Sequence, residues 1–163
     1  MNMLPYSAMV FAYEKHKSQV RKYTGEPYTA HLGEVAGIVA AVNQDPEAIA
    51  TAWLHDVWED QGVTPEELIN LFGVTVGYGV MMLSDMEEGN RAERKAKSCE
   101  RLAQASGWVQ TIKCADLISN TKSIMLHDPK FAVTYLKEKQ ALLEVLTKAD
   151  RRLWNIATEL AHL

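Results

Sequence analysis

Three N-cap–proline pairs constrain this chain more than any other local feature: Asp45-Pro46-Glu47, Thr64-Pro65-Glu66-Glu67 and Asp128-Pro129. In each, a side-chain oxygen able to accept from orphan backbone N–H groups precedes a residue whose fixed φ suits the first turn of a helix. Thr64 followed by Glu67 adds a capping-box pattern. A chain started this way three times over is committed to helices, and the spacing of its apolar residues agrees. The first helix is expected from about Tyr6 to Val20, with Met9, Tyr13, His16 and Val20 on one side. Residues 21–28 contain Gly25 and Pro27 and read as a loop carrying two cations. A second helix follows over about 30–42 through Leu32, Val35, Ala36, Val39 and Val42, and a third starts at Pro46 and stops near Asp60.

Beyond Pro65 the pattern continues. A short helix closes at Gly73, an apolar helix covers 74–83, and a polar segment over 84–90 is the best candidate for a mobile loop. A charged helix over 91–105, another over 108–121, one from Asp128-Pro129 and a last one reaching the C-terminus complete the reading. No alternation of strand type appears, and no repeat or linker. The expectation is an all-α fold, a single helical-bundle domain over residues 1–163.

Composition narrows the function classes. The chain has 163 residues, 47% hydrophobic and 23% charged, as in an ordinary globular domain. A formal net charge of −4 gives no excess for nucleic-acid binding, so neither a nucleic-acid nor a membrane partner is expected. No apolar run approaches the roughly 20 residues of a membrane span. Cys99 and Cys114 lack a paired spacing and read as free thiols of a cytoplasmic protein.

The chemistry concentrates in Trp53-Leu54-His55-Asp56-Val57-Trp58-Glu59-Asp60. On a continuous helix His55 would lie one turn below Glu59 and Asp56 one turn below Asp60, projecting to one side. Carboxylates packed this closely repel one another and call for a cation. His31 follows the cationic loop, and Asp116 lies in an apolar context, where an acid needs a charge partner. His31, His55, Asp56 and Asp116 together would offer nitrogen and oxygen ligands with room for water, suited to Mn²⁺, with Fe²⁺ or Zn²⁺ possible. His16 reads as structural, His127 and His162 lack supporting context, and Trp53, Trp58, Trp108 and Trp154 read as core.

Three segments carry a resemblance: Arg21-Lys22-Tyr23-Thr24-Gly25-Glu26-Pro27-Tyr28 with His31, His55-Asp56-Val57-Trp58-Glu59-Asp60, and Ala115-Asp116-Leu117-Ile118-Ser119-Asn120-Thr121. In order and spacing they resemble the HD superfamily of metal-dependent phosphohydrolases, and within it the small, Mesh1-like alarmone hydrolases of the RelA/SpoT type. The resemblance implies removal of the 3′-pyrophosphate of ppGpp or pppGpp, giving GDP or GTP and pyrophosphate, usually with Mn²⁺. By match to the motifs, His31, His55, Asp56 and Asp116 would be metal ligands and Glu59 and Asp60 the catalytic acids. Arg21, Lys22, Lys95, Asn120 and Tyr135 would contact a small-molecule nucleotide. Spacing does not assign acid and base between Glu59 and Asp60, nor does it choose guanine over adenine. Alternatives are another nucleotide substrate (a ppApp-type alarmone, the 2′-phosphate of NADPH, a deoxynucleotide) or a non-catalytic alarmone-binding domain. Oligomeric state is not legible.

Overall fold

The fold is given by a computed structural model that describes residues 2–163. Among the described residues there are ten α-helices and no strand, with one isolated antiparallel bridge between Val20 and Pro27. The contacts group the chain into two compact units, one ending at Ser84 and the other running from Asp85 to Leu163.

The first unit holds α1 (Leu4–His16), α2 (Tyr28–Ala40), α3 (Pro46–Leu54), α4 (Val57–Gln61), α5 (Pro65–Phe72) and α6 (Val74–Leu83). Its centre is α3, which packs on α1, α2 and α6. Small side chains make this possible: Ala48, Ala50, Thr51 and Ala52 are buried with Leu54, so three helices can approach one short one closely. The Asp45 carboxylate accepts from Glu47 N–H at 3.0 Å, and Thr64 Oγ1 from Glu67 N–H at 3.2 Å, which starts α3 and α5 as their sequences dictate. Around α3 the core gathers Ala8, Ala12, Leu32, Val57, Val63, Leu68, Val76 and Val80.

Several expectations shift in detail. Helix α1 ends at His16 and buries Ala8, Ala12 and His16, whereas Met9 and Tyr13 are exposed. Val20 lies beyond the helix, in the bridge to Pro27. The four tryptophans are only half-buried, though Trp53 and Trp58 do pack against the core from its edge. The third helix does not run through to Asp60. It stops at Leu54, and Asp56, at φ −103° and ψ 0°, separates it from α4. No glycine or proline marks that break; its consequence is local to the site, described below.

The second unit comprises α7 (Arg91–Gln104), α8 (Gly107–His127), α9 (Pro129–Val145) and α10 (Arg151–Ala161). Helix α8 is the long spine, packed on α9 and α10, and α9 also packs on α7. It extends a full turn and more beyond the expected end at Thr121. The segment 84–90, expected to be mobile, is tied to α7. Asp85 accepts from Lys95, Ser98 and Arg101, Glu87 from Arg101, and the Glu88 carbonyl from Lys97. Asn90 then closes a full capping box with Glu93.

Candidate active site

Four elements of the first unit build the site. The loop after α1 is closed by backbone hydrogen bonds from Arg21 N–H to the Glu26 carbonyl (2.8 Å) and from Tyr28 N–H to the Gln19 carbonyl (2.9 Å). That closure sets the start of α2, so Tyr28 and His31 fall on its inward side one turn apart. From α3 comes His55, at the helix end. Its Nδ1–H donates to the Ala52 carbonyl at 2.7 Å, which leaves the Nε2 lone pair facing inward.

Asp56 completes the cluster. Its Oδ2 lies 3.1 Å from His55 Nε2 and 3.6 Å from His31 Nε2, and it accepts the Tyr28 hydroxyl hydrogen bond at 2.6 Å. Both imidazoles are buried, at 0% and 2% exposure, with ring centroids 5.3 Å apart. With its Nδ1 proton committed to a carbonyl, His55 presents an electron pair to a carboxylate oxygen, an arrangement that a shared cation stabilises. Two buried nitrogens and a carboxylate oxygen at this spacing fit a divalent metal ion, with the second-sphere bond on His55 that such ligands usually carry.

The break at Asp56 changes the placement of the two catalytic candidates. Glu59 and Asp60 lie in the first turn of the five-residue α4, not at the C-terminal end of a longer helix. In so short a helix the first and last turns overlap, so the peptide dipoles favour Glu59 at most, and Asp60, the last residue but one, is governed by its neighbours. Gly62, at φ 70°, then ends α4 in the left-handed conformation that suits glycine. Glu59 is exposed. Asp60 reaches water too, yet desolvation by its neighbours raises its pKa, the Asp56 charge adds to this, and a hydrogen bond from Gln19 only partly offsets it. A carboxyl with raised pKa is suited to holding or passing a proton.

Of the loop cations, Arg21 is half-buried, and Lys22 is exposed with its Nζ 5.0 Å over the Tyr23 ring.

The remaining candidates belong to the second unit. Asp116, 7% exposed on α8, finds its charge partner in Lys113, whose Nζ donates at 2.8 Å, and accepts from Asn120 Nδ2 at 2.7 Å. Asp116 and Asn120 are thus brought together across one helical turn. Lys95 is held by Asp85 at 3.1 Å. Tyr135 is buried with its hydroxyl 3.4 Å from Thr121 Oγ1, and burial pushes its pKa up to about 12. Three lysines, Lys95, Lys113 and Lys139, line one cleft with Asp85 and Glu138. Burial, with repulsion from Lys113 and Lys95, brings the Lys139 pKa down to about 8. Lys113 could be found from its i,i+3 spacing to Asp116; Lys139, 23 residues beyond Asp116, leaves no such local signal.

The chain belongs to the HD domain family, whose model matches residues 8–150. A probable guanosine-3′,5′-bis(diphosphate) 3′-pyrophosphohydrolase of Synechocystis is 32% identical to it over 163 residues, 96% of this chain but 21% of that protein. The first curated relatives are therefore much longer, and the chain spans about a fifth of their length. A shorter relative is the zebrafish guanosine-3′,5′-bis(diphosphate) 3′-pyrophosphohydrolase MESH1, 36% identical over 117 residues, 70% of this chain and 65% of that one. Among solved structures, a metazoan orthologue of SpoT described as hydrolysing ppGpp matches with a TM-score of 0.89 and 26% identity, covering 98% of this chain and 94% of its own. A Listeria monocytogenes structure shares the fold, with a TM-score of 0.72 at 21% identity.

Proposed function

We propose that this protein is a metal-dependent (p)ppGpp 3′-pyrophosphohydrolase acting as one HD domain. The observation that carries the proposal is the His31–His55–Asp56 cluster with Asp60 one turn beyond it, in a chain similar to named ppGpp hydrolases. His31, His55 and Asp56 would hold the metal, with Asp116 as the fourth ligand on the strength of its motif. Mn²⁺ is the ion we propose, since mixed nitrogen and oxygen ligands suit it. When bound, the metal would supply an activated water and withdraw charge from the phosphoryl oxygens.

The chain's own groups do the rest. Tyr28 and the Ala52 carbonyl fix Asp56 and His55 in ligating orientation. Glu59 and Asp60 manage protons: one takes a proton from the attacking water, and one returns a proton to the departing ribose 3′-oxygen as the P–O3′ bond breaks. Arg21 and Lys22 neutralise substrate phosphates, with Lys95, Asn120 and Tyr135 as further contacts. Lys95 must exchange its Asp85 bond for a phosphate to take part. The substrate in this reading is a small nucleotide, as in the named ppGpp hydrolases the chain resembles, and the setting cytoplasmic. Among the described residues no helix is long and apolar enough to cross a membrane.

The test is incubation of the purified protein and Mn²⁺ with ppGpp, pppGpp, ppApp, NADPH and deoxynucleoside triphosphates. Pyrophosphate release from ppGpp and pppGpp is expected. Turnover confined to deoxynucleotides, or orthophosphate as the sole product, would overturn the proposal.

A further inference from the structure

Asp60 is not held by its own helix alone. Gln19, 41 residues earlier in the loop after α1, donates from Nε2 to Asp60 Oδ2 at 2.9 Å. The Gln19 Oε1 faces two other groups, Gln61 Nε2 at 2.8 Å and His16 Nδ1 at 2.7 Å. These contacts define the amide's orientation. An ionised carboxylate only accepts, so the Gln19 nitrogen must face Asp60, and the oxygen then receives from Gln61 and His16, both of which can donate. Turning the amide over would set its oxygen against the carboxylate.

The anchor of this arrangement is buried. His16 is fully enclosed and stacks on the Tyr28 ring (centroids 5.4 Å apart, planes at 20°). Its Nε2 is buried with no hydrogen-bond partner among the described residues, so the Nδ1 bond to Gln19 is the polar contact that orients the ring. The Gln19 backbone is pinned as well, its N–H donating to the His16 carbonyl and its carbonyl accepting from Tyr28, both at 2.9 Å. A carboxylate on the open side of a five-residue helix would otherwise sample several rotamers in water.

We infer that Gln19, locked by His16, is a positioning residue that holds the Asp60 carboxylate in its reactive rotamer, an inference that rests on Asp60 serving the proposed reaction. The Tyr28 hydroxyl on Asp56 and the Gln19 amide on Asp60 then form one bracket around the two acids. It is built from the end of α1, the loop and the start of α2.

Two measurements test this. By NMR of the metal-free protein, the Gln19 side-chain NH₂ resonances are expected to move, and their exchange with water to speed up, in Asp60→Ala. Unchanged resonances would overturn the inference whatever the substrate proves to be. In steady-state kinetics on ppGpp, Gln19→Met is expected to lower kcat about 10–100-fold, the usual range for loss of an orienting second-sphere bond, with KM nearly unchanged. Gln19→Glu keeps the acceptor for His16 and Gln61 but loses the donor to Asp60, and should fall as far; wild-type kcat in that variant would assign Gln19 to packing alone. In an Asp60→Ala background Gln19→Met should cost nothing further, and multiplied losses would contradict action through Asp60. Failure of the hydrolase proposal shows separately, as a wild-type protein inactive on ppGpp.

Discussion

Asp56 Oδ2 receives the Tyr28 hydroxyl and faces two imidazole nitrogens, and that one atom organises the first unit's polar interior. That His31, His55 and Asp56 come together was legible because they are positions of the motifs named above. Their supports were not legible. Nothing in the residues around Gln19 announces a bond 41 positions away, and His16 reads as one more apolar-face residue until its Nδ1 is seen on the Gln19 amide. Asp116 was expected to need a charge partner, and Lys113 supplies it. A different acid offers a prediction at this scale. Asp85 accepts from Lys95, Ser98 and Arg101, and although burial raises its pKa, the Lys113 and Lys95 charges and its hydrogen bonds hold it well below the usual carboxylate range. Its folded pKa lies under its unfolded one, so its stabilisation is complete above about pH 4–5 and lost as the pH falls toward the folded pKa. Asp85→Asn should therefore lower stability by about 2 kcal/mol at pH 7, and by progressively less below pH 4. A deficit in urea unfolding that stays constant from pH 7 to pH 3 would contradict this.

Helix existence and type followed from caps and spacing, because Asp45, Thr64 and Asp128 each make the backbone bond their sequence context implies. The element boundaries that failed share a cause: tertiary contacts override local preference. The residues 54–57 are all compatible with a continuous helix, yet the chain turns at Asp56 into the sparsely populated bridge region, where site residues often lie. The segment 84–90 is polar enough to be a loose loop, but Arg101 and Lys95 on α7 convert its acids into anchors. One close packing, of α5 on α6, was legible as a glycine and only as that. A Cβ on Gly77 would collide with Ile69 Cγ1 and sit 3.2 Å from the Pro65 carbonyl oxygen. Gly77→Ala gains up to about 1 kcal/mol of helix propensity, but overpacking costs about 1–3 kcal/mol. The expected net result is a melting temperature lower by a few degrees, about 2–4 °C per kcal/mol for a chain of this size. An unchanged or raised melting temperature would show that α5 and α6 are not so tightly apposed.

On the scale of the whole molecule, helix caps and apolar spacing made the all-α class legible, and the order of the motifs pointed to the HD domain family whose model matches residues 8–150. Each of the two units carries part of the proposed chemistry: imidazoles, Asp56 and the acidic pair in one, Asp116, Asn120 and the lysine cleft in the other. In the proposed reaction water attacks the phosphorus attached to the ribose 3′-oxygen, with Glu59 and Asp60 moving the protons. The most direct measurement is hydrolysis of ppGpp with Mn²⁺ in ¹⁸O-labelled water, followed by mass spectrometry of both products. One labelled oxygen in pyrophosphate and none in GDP is the predicted result. Label in GDP, or labelled orthophosphate with the inner 3′-phosphate still on the nucleoside, would contradict it.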